Sequence, residues 1–420
     1  MKQIMDLARI YHEAQFLFPY WTDDLLKEWT AAYEQLLATV SQGLTEREFY
    51  LELMKLATLL KDGHTQIILP SSLNVNQFSP IKFEMIENEL VVTNAQVPYI
   101  DLIGQVVQKI EGKPVQQFLA EIKPFIWHET DFFYVNLVAR LPFFFPDGLN
   151  ISVAGEHYLI KMVATPRLAK PLRQGVLRYQ HEGLSLYQIE DSIMVKIQHF
   201  MSETMVKDFY RHVELLQQAD KLIIDVRGNL GGNSGFADEL AQAFYPGEFL
   251  VERYYYQLTN GETYANGSQI ATWPAKMLDE AAQTRFHKEL ASWRHQAFEE
   301  QSETAFYPEF AGKLAEKPVV LLQDAATYSS AENFLMNFIQ RSKTVTIGTS
   351  TAGSTGQSAW IPLETGGYFQ VTAKAVELPA GTIHHNQGLK PEIEISLTIQ
   401  DVQNGADPIL ARALKNDTES

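Results

Sequence analysis

Apolar residues recur every three or four positions from Ile4 to Leu60, so the first part of the chain reads as amphipathic helices. Thr45 followed three places later by Glu48 has the form of a capping box. It opens a helix carrying Phe49, Leu51, Leu53, Met54, Leu56 and Leu60. The helix is predicted to stop at Gly63, in Lys61-Asp62-Gly63-His64-Thr65, ahead of a short strand at 66–69. From about Asn76 the pattern turns mostly to strands. Residues 81–86 and 90–93 alternate around Glu87-Asn88 as a hairpin. Residues 103–115 read as a strand, a glycine turn and a helix start, and a helical stretch follows to about Leu141. Strands at 149–154 and 157–163 close this block, and 166–183, with its prolines and charges, reads as a linker.

Strand and helix patterns alternate from Leu184 onward, which is the signature of an α/β unit. Residues 184–189 and 192–197 form a predicted hairpin, 201–219 a helix and 221–226 a buried strand. The turn Arg227-Gly228-Asn229-Leu230-Gly231-Gly232-Asn233-Ser234-Gly235 then leads into a helix at 236–244. A strand at 249–258 and a long charged helix over 274–300 follow. The apolar run 319–322 is a buried strand, and 323–328 is a polar bend. Ser329 and Ser330 head a helix with Phe334, Leu335, Phe338 and Ile339 on one face. A strand at 344–347, a glycine-rich turn at 348–356, strands at 359–363 and 368–377 and a helix at 408–415 complete the chain.

Composition narrows the classes. The 420 residues suffice for two or three domains, and 45% hydrophobic with 20% charged residues describes an ordinary globular protein. A net charge of −17 sets the molecule against nucleic acid and anionic membrane surfaces. With no cysteine there is no disulfide, thiol nucleophile or zinc–thiolate site. The N-terminal stretch lacks a signal-peptide pattern, and no apolar run approaches the ~18 residues of a membrane span, so a cytoplasmic protein is expected.

Ser329 sits at a strand-to-helix corner, where N–H groups point outward and the helix dipole favours negative charge. Two readings stand here: a helix N-cap or a nucleophile with an oxyanion site beside it. The turn 227–235 lacks G-x-G-x-x-G and the Lys-Ser/Thr ending of a phosphate loop. Its glycines suit backbone donors to a transient oxyanion instead. The His-Glu dipeptides at 12–13, 128–129 and 181–182 lack a second histidine at zinc-ligand spacing, and His384-His385 has no partner spacing, so no metal is expected. There is no G-x-S-x-G. What remains is an acyl-transfer set: Ser329 as nucleophile, His64 as base, and backbone donors at Gly231 and Ser330.

The run 224–232 resembles the DxRGNxGG turn of the tail-specific, or C-terminal processing, serine peptidases. Ser329-Ser330-Ala331-Glu332 is similar to their nucleophile segment, and Gly348 with 351–356 to the turn that follows. Leu60-Lys61-Asp62-Gly63-His64-Thr65 resembles the L-x-D-G-H-T of the branch related to the tricorn protease core, and 104–115 a PDZ-like insert. The resemblance spans about 45–395. It implies an α/β protein with a helical region at 1–74 carrying His64, a PDZ-like β-rich domain at 75–165, and a crotonase-like αββ core at 166–420. It further implies a serine peptidase acting on short or unfolded peptides, without cofactor, with substrate contacts at Gly232, Gly353 and Ser354. The oligomeric state stays open, a homo-oligomer included. The main branch of the family uses a Ser–Lys dyad, and its lysine falls here at Ser354. The tricorn-like branch uses Ser, His and a glutamate 58 residues after the serine, which is Gln387 here, or Asn386 with a one-residue gap. An amide orients an imidazole without stabilising imidazolium as a carboxylate does. Asp62 and Glu332 are other acids that could take that place. The alternative reading is a weak or inactive member that binds peptides or apolar ligands in the same cleft.

Overall fold

The computed structural model describes residues 1–73, 77–136, 141–165, 175–257, 261–378 and 381–415. Three helices open the chain: α1 (Lys2–Leu17), α2 (Asp23–Ser41) and α3 (Glu46–Thr58). The capping box at α3 is formed, with the Glu48 N–H donating to Thr45 Oγ1 and the Thr45 N–H to Glu48 Oε2. After α3 the chain turns inward through Lys61, at φ +48°, and carries Asp62 and His64 into the interior. The strand Gln66–Ile68 then pairs antiparallel with Tyr368–Thr372, whose other neighbour is Ser358–Pro362. This three-stranded sheet joins the N-terminal helices to the far end of the chain.

The hairpin of Ile81–Ile86 and Glu89–Ala95 turns on Glu87 and Asn88, at φ +53° and +64°, values suited to a two-residue turn. It belongs to a six-stranded sheet with Val106–Ile110, Lys113–Pro114, Leu149–Val153 and Glu156–Ile160. Phe49 and Leu53 of α3 share one buried cluster with Phe83, Val92, Ile110 and Ile151 of this sheet and with Phe369 and Val371. The apolar core therefore continues across residue 74, where the sequence suggests a domain boundary.

A seven-stranded sheet forms the second half. Its order is Ile393–Glu394, Thr344–Gly348, Val319–Gln323, Lys221–Asp225, Ser192–Ile197, Leu184–Ile189, Val176–His181. The first five run parallel, and the last two continue as an antiparallel meander. The central runs Leu222-Ile223-Ile224 and Val319–Gln323 are buried throughout, as a parallel sheet covered on both faces requires. The whole is a mixed α/β fold with several sheets. Among the described residues no helix is long and apolar enough to cross a membrane.

Several elements depart from the sequence pattern. The helix expected over 274–300 is three short pieces, Ala275–Met277, Glu280–Arg285 and His287–Trp293, followed by the strand Phe298–Ala305. His295, at φ +57°, breaks the helical path, and pairing with Phe249–Gln257 overrides the helix preference of the glutamates. A helix at Gly261–Ala271 carries no clear periodic signal in the sequence. The helix expected over 201–219 divides into Glu203–Arg211 and Val213–Gln218 at His212. Residues 176–181 of the expected linker are an edge strand, while 166–174 lie outside the described residues. The helical stretch expected to Leu141 resolves into Val115–Ile122, Asp131–Val135 and Leu141–Phe144, with 137–140 outside the described residues.

Candidate active site

The central strand Val319–Gln323 ends in a turn closed by Asp324, whose carboxylate accepts from the Ala326 N–H (3.0 Å) and the Gly228 N–H (3.0 Å). The turn delivers Ser329 at φ +57°, ψ −126°, immediately before the short helix Ser330–Met336. This backbone conformation is rare for a residue with a side chain and costs on the order of 1–3 kcal/mol. It is held by the Ser329 N–H donating to Ser354 O (3.1 Å) and by Ser329 O accepting from the Glu332 N–H (2.7 Å). The Ser329 side chain makes no capping hydrogen bond, so the N-cap reading fails. Its Oγ lies 3.0 Å from His64 Nε2.

On the far side of the imidazole, Nδ1 lies 2.7 Å from Ser354 Oγ and 2.8 Å from the Tyr328 hydroxyl. The Tyr328 ring stacks on His64, with centroids 4.6 Å apart. Ser354 Oγ in turn donates to Asp62 Oδ1 at 3.4 Å, and Asp62 Oδ2 accepts from the hydroxyls of Thr65 and Thr372. A hydroxyl thus stands between the imidazole and its acid. Burial holds the His64 pKa below the ordinary value of 6.5, with Asp62 and Glu332 opposing that shift. At neutral pH the ring is therefore neutral, with one nitrogen able to accept a proton.

The glycine turn packs directly on this corner. A Cβ on Gly231 would fall 2.8 Å from both Ser329 Cβ and the Ser330 N, and its φ is +92°, so no side chain fits. Gly231 was expected to donate to an oxyanion, but its N–H is already bonded to Asn229 Oδ1 at 2.8 Å. The N–H groups of Gly232 and Ser330 have no acceptor among the described residues. Ser330 Oγ donates to Gly232 O (2.8 Å) and couples these two peptides. The available donor pair is Gly232 with Ser330.

Two further expectations change. Gly353 and Ser354 are buried, and their N–H groups donate to Glu332 at 2.8 and 3.0 Å. Their backbone donors are consumed inside the protein instead of being offered to a substrate. Gln387 is exposed, and it is its backbone that meets Gly353, 2.7 Å from where a Cβ would stand. The place beside Nδ1 that was assigned to its side chain is filled by Ser354 and Tyr328. Asn386 also points elsewhere, its amide donating to Lys61 O (2.9 Å). His384 is buried with Nε2 3.2 Å from Glu332 Oε1, and His385 stacks on Tyr20 at 3.7 Å. Sequence reasoning missed Tyr328, whose only signal is adjacency to Ser329, and Glu129, which reaches the site from the β-rich block. Among the described residues no group of three or more His, Asp, Glu or Cys side chains is arranged to hold a metal ion.

Together the α/β fold and the sequence define a serine-type peptidase. Residues 192–395 match the model of peptidase family S41. No curated protein matches the chain in sequence. Among solved structures, mature CPAF complexed with lactacystin is similar over 96% of this chain and 95% of its own, with a TM-score of 0.67 at 14% identity. A putative peptidase from Parabacteroides merdae covers 98% and 95%, with a TM-score of 0.55 at 15% identity. The photosystem II D1 C-terminal processing protease covers 97% and 98%, with a TM-score of 0.52 at 12% identity. At such identities the likeness is one of fold.

Proposed function

We propose that the chain hydrolyses peptide bonds through Ser329 and His64. His64 Nε2 takes the hydroxyl proton as Ser329 Oγ attacks the scissile carbonyl carbon, and later gives that proton to the leaving amine. The Nδ1–H meanwhile donates to Ser354 Oγ, and Asp62 behind it offsets the charge that forms on the ring. The carbonyl oxygen, now an oxyanion, faces the N–H groups of Gly232 and Ser330. Water then attacks the acyl-enzyme with His64 again as base. Substrates are read as short or unfolded peptides, the block 75–165 as a PDZ-like domain and the remainder as a crotonase-like core, on the resemblance of the sequence.

The observation that carries this reading is the 3.0 Å approach of Nε2 to a serine held in a strained backbone conformation. A fluorophosphonate reagent tests it, with lactacystin as a second reagent because mature CPAF has been solved with that compound. Wild type should label, Ser329→Ala should lose labelling and peptide hydrolysis together, and Ser330→Ala should keep labelling because its N–H survives. A folded wild type that stays unlabelled, or a Ser329→Ala variant that still labels, overturns the assignment.

A further inference from the structure

Glu129 lies in the β-rich half of the chain yet ends beside the catalytic histidine. Its Oε1 accepts the Gly63 N–H at 2.8 Å, one residue before His64. Its Oε2 is buried and makes no hydrogen bond. A Cβ on Gly63 would meet Oε2 at 2.5 Å, Oε1 at 2.7 Å and the Tyr328 hydroxyl at 2.7 Å, so carboxyl and phenol close over the same bare face of that glycine. The segment around Glu129 is fastened to the nucleophile turn by Thr130 Oγ1 donating to Ala325 O (3.4 Å) and by Phe133 against the Tyr328 ring (5.1 Å).

The Tyr328 hydroxyl has one proton and two uses. If it donates to His64 Nδ1, the imidazole must carry its proton on Nε2, and Nε2 cannot then accept from Ser329. If it points its proton elsewhere, Nδ1 keeps its own proton for Ser354 Oγ, with the Tyr328 lone pair beside it, and Nε2 is free. A negative charge beside the phenol favours the second arrangement. Resting on the Ser–His reading above, we propose that Glu129 is a positioning residue for His64, its carboxylate drawing the Tyr328 O–H away from Nδ1 so that the imidazole keeps the tautomer able to act as base.

The groups facing Glu129 are Asp62 on the turn after α3, Tyr328 and Glu332 on the nucleophile segment, and His128 and Tyr134 on its own segment. Tyr20, after α1, also feels its charge. Burial, reinforced by Asp62, pushes Glu129 up to about 8. Its ionised form is therefore gained as pH rises through that value, well above the titration of His64.

Stopped-flow peptide hydrolysis and fluorophosphonate labelling between pH 6 and 10 test the proposal. Wild type should show a limb rising through pH about 8. Glu129→Gln keeps an oxygen for the Gly63 N–H but carries no charge. It should lose that limb and fall about tenfold in kcat above pH 8, with KM unchanged. Tyr328→Phe removes the competing hydroxyl and should also lack the limb. The double variant should be no slower than Tyr328→Phe alone, a rescue that a merely structural role for Glu129 would not give. A wild-type pH profile in Glu129→Gln, or additive losses in the double variant, overturns the proposal. Should Glu129→Gln fail to fold, Tyr328→Phe decides alone, and a retained limb there refutes it. Absence of labelling in folded wild type would instead refute the Ser–His reading beneath it.

Discussion

The serine and the histidine of the pair are held by contrasting surroundings. Around Ser329 the polar groups close on one another: Glu332 binds the N–H groups of Gly353 and Ser354 and the Thr351 hydroxyl, and Ser354 O binds the Ser329 N–H. Around His64 the polar groups close less completely, with Glu129 Oε2 making no hydrogen bond and the Asp62 carboxylate reached from the imidazole only through a hydroxyl. A strained backbone needs stiff support, since otherwise the turn would relax to an unstrained conformation. In the proposed mechanism His64 gains and loses a proton, and such a group needs a field that can be adjusted, which buried titratable neighbours supply. The serine side is built for position and the histidine side for proton affinity.

Breaking the stiff side should have the largest effect. Glu332→Ala leaves two buried N–H groups and a hydroxyl without their acceptor. We expect a loss of about 3 kcal/mol of stability in denaturant melts together with loss of labelling. Ser354→Ala touches both sides, because its backbone remains while the bridge from Nδ1 to Asp62 disappears. Peptide hydrolysis should fall about tenfold to a hundredfold with the melting curve nearly unchanged. An equally large drop in stability would mean that Ser354 serves only the turn. Gln387→Ala should do least, within about twofold in kcat/KM, because its side chain is exposed. A large loss there would return Gln387 to the imidazole and undo the contrast.

How much of this is readable in the sequence depends on how locally each feature is encoded. Thr45 and Glu48 announce their helix because the capping box is completed within four residues. The parallel strands are legible because burial on both faces demands unbroken apolar runs such as Val319–Leu322. Ser329 and His64 stand in recognisable turns, and the fold brings them together. Counting to Gln387 assumes that spacing sets side-chain direction, yet the chain there offers its backbone to Gly353. Glu129 has no local signal at all. Its neighbours are Gly63, 66 residues away, and Tyr328, and a His-Glu dipeptide says nothing about which bare glycine face it will cover. The strand Phe298–Ala305 is equally opaque, since its glutamates favour a helix until Phe249–Gln257 pairs with them.

The strand beside His64 also sets a clock. Gln66–Ile68 is held by Tyr368–Thr372, and the two reacting side chains are 265 residues apart. During synthesis the histidine turn leaves the ribosome long before its pairing strand exists, and such distant pairing is the slow part of folding. A nascent chain thus carries both a serine and a histidine without a working pair until the hairpin at 358–372 is made and docked. On the Ser–His reading proposed above, hydrolytic power arrives last, when little of the molecule remains unfolded and open to attack by its own kind.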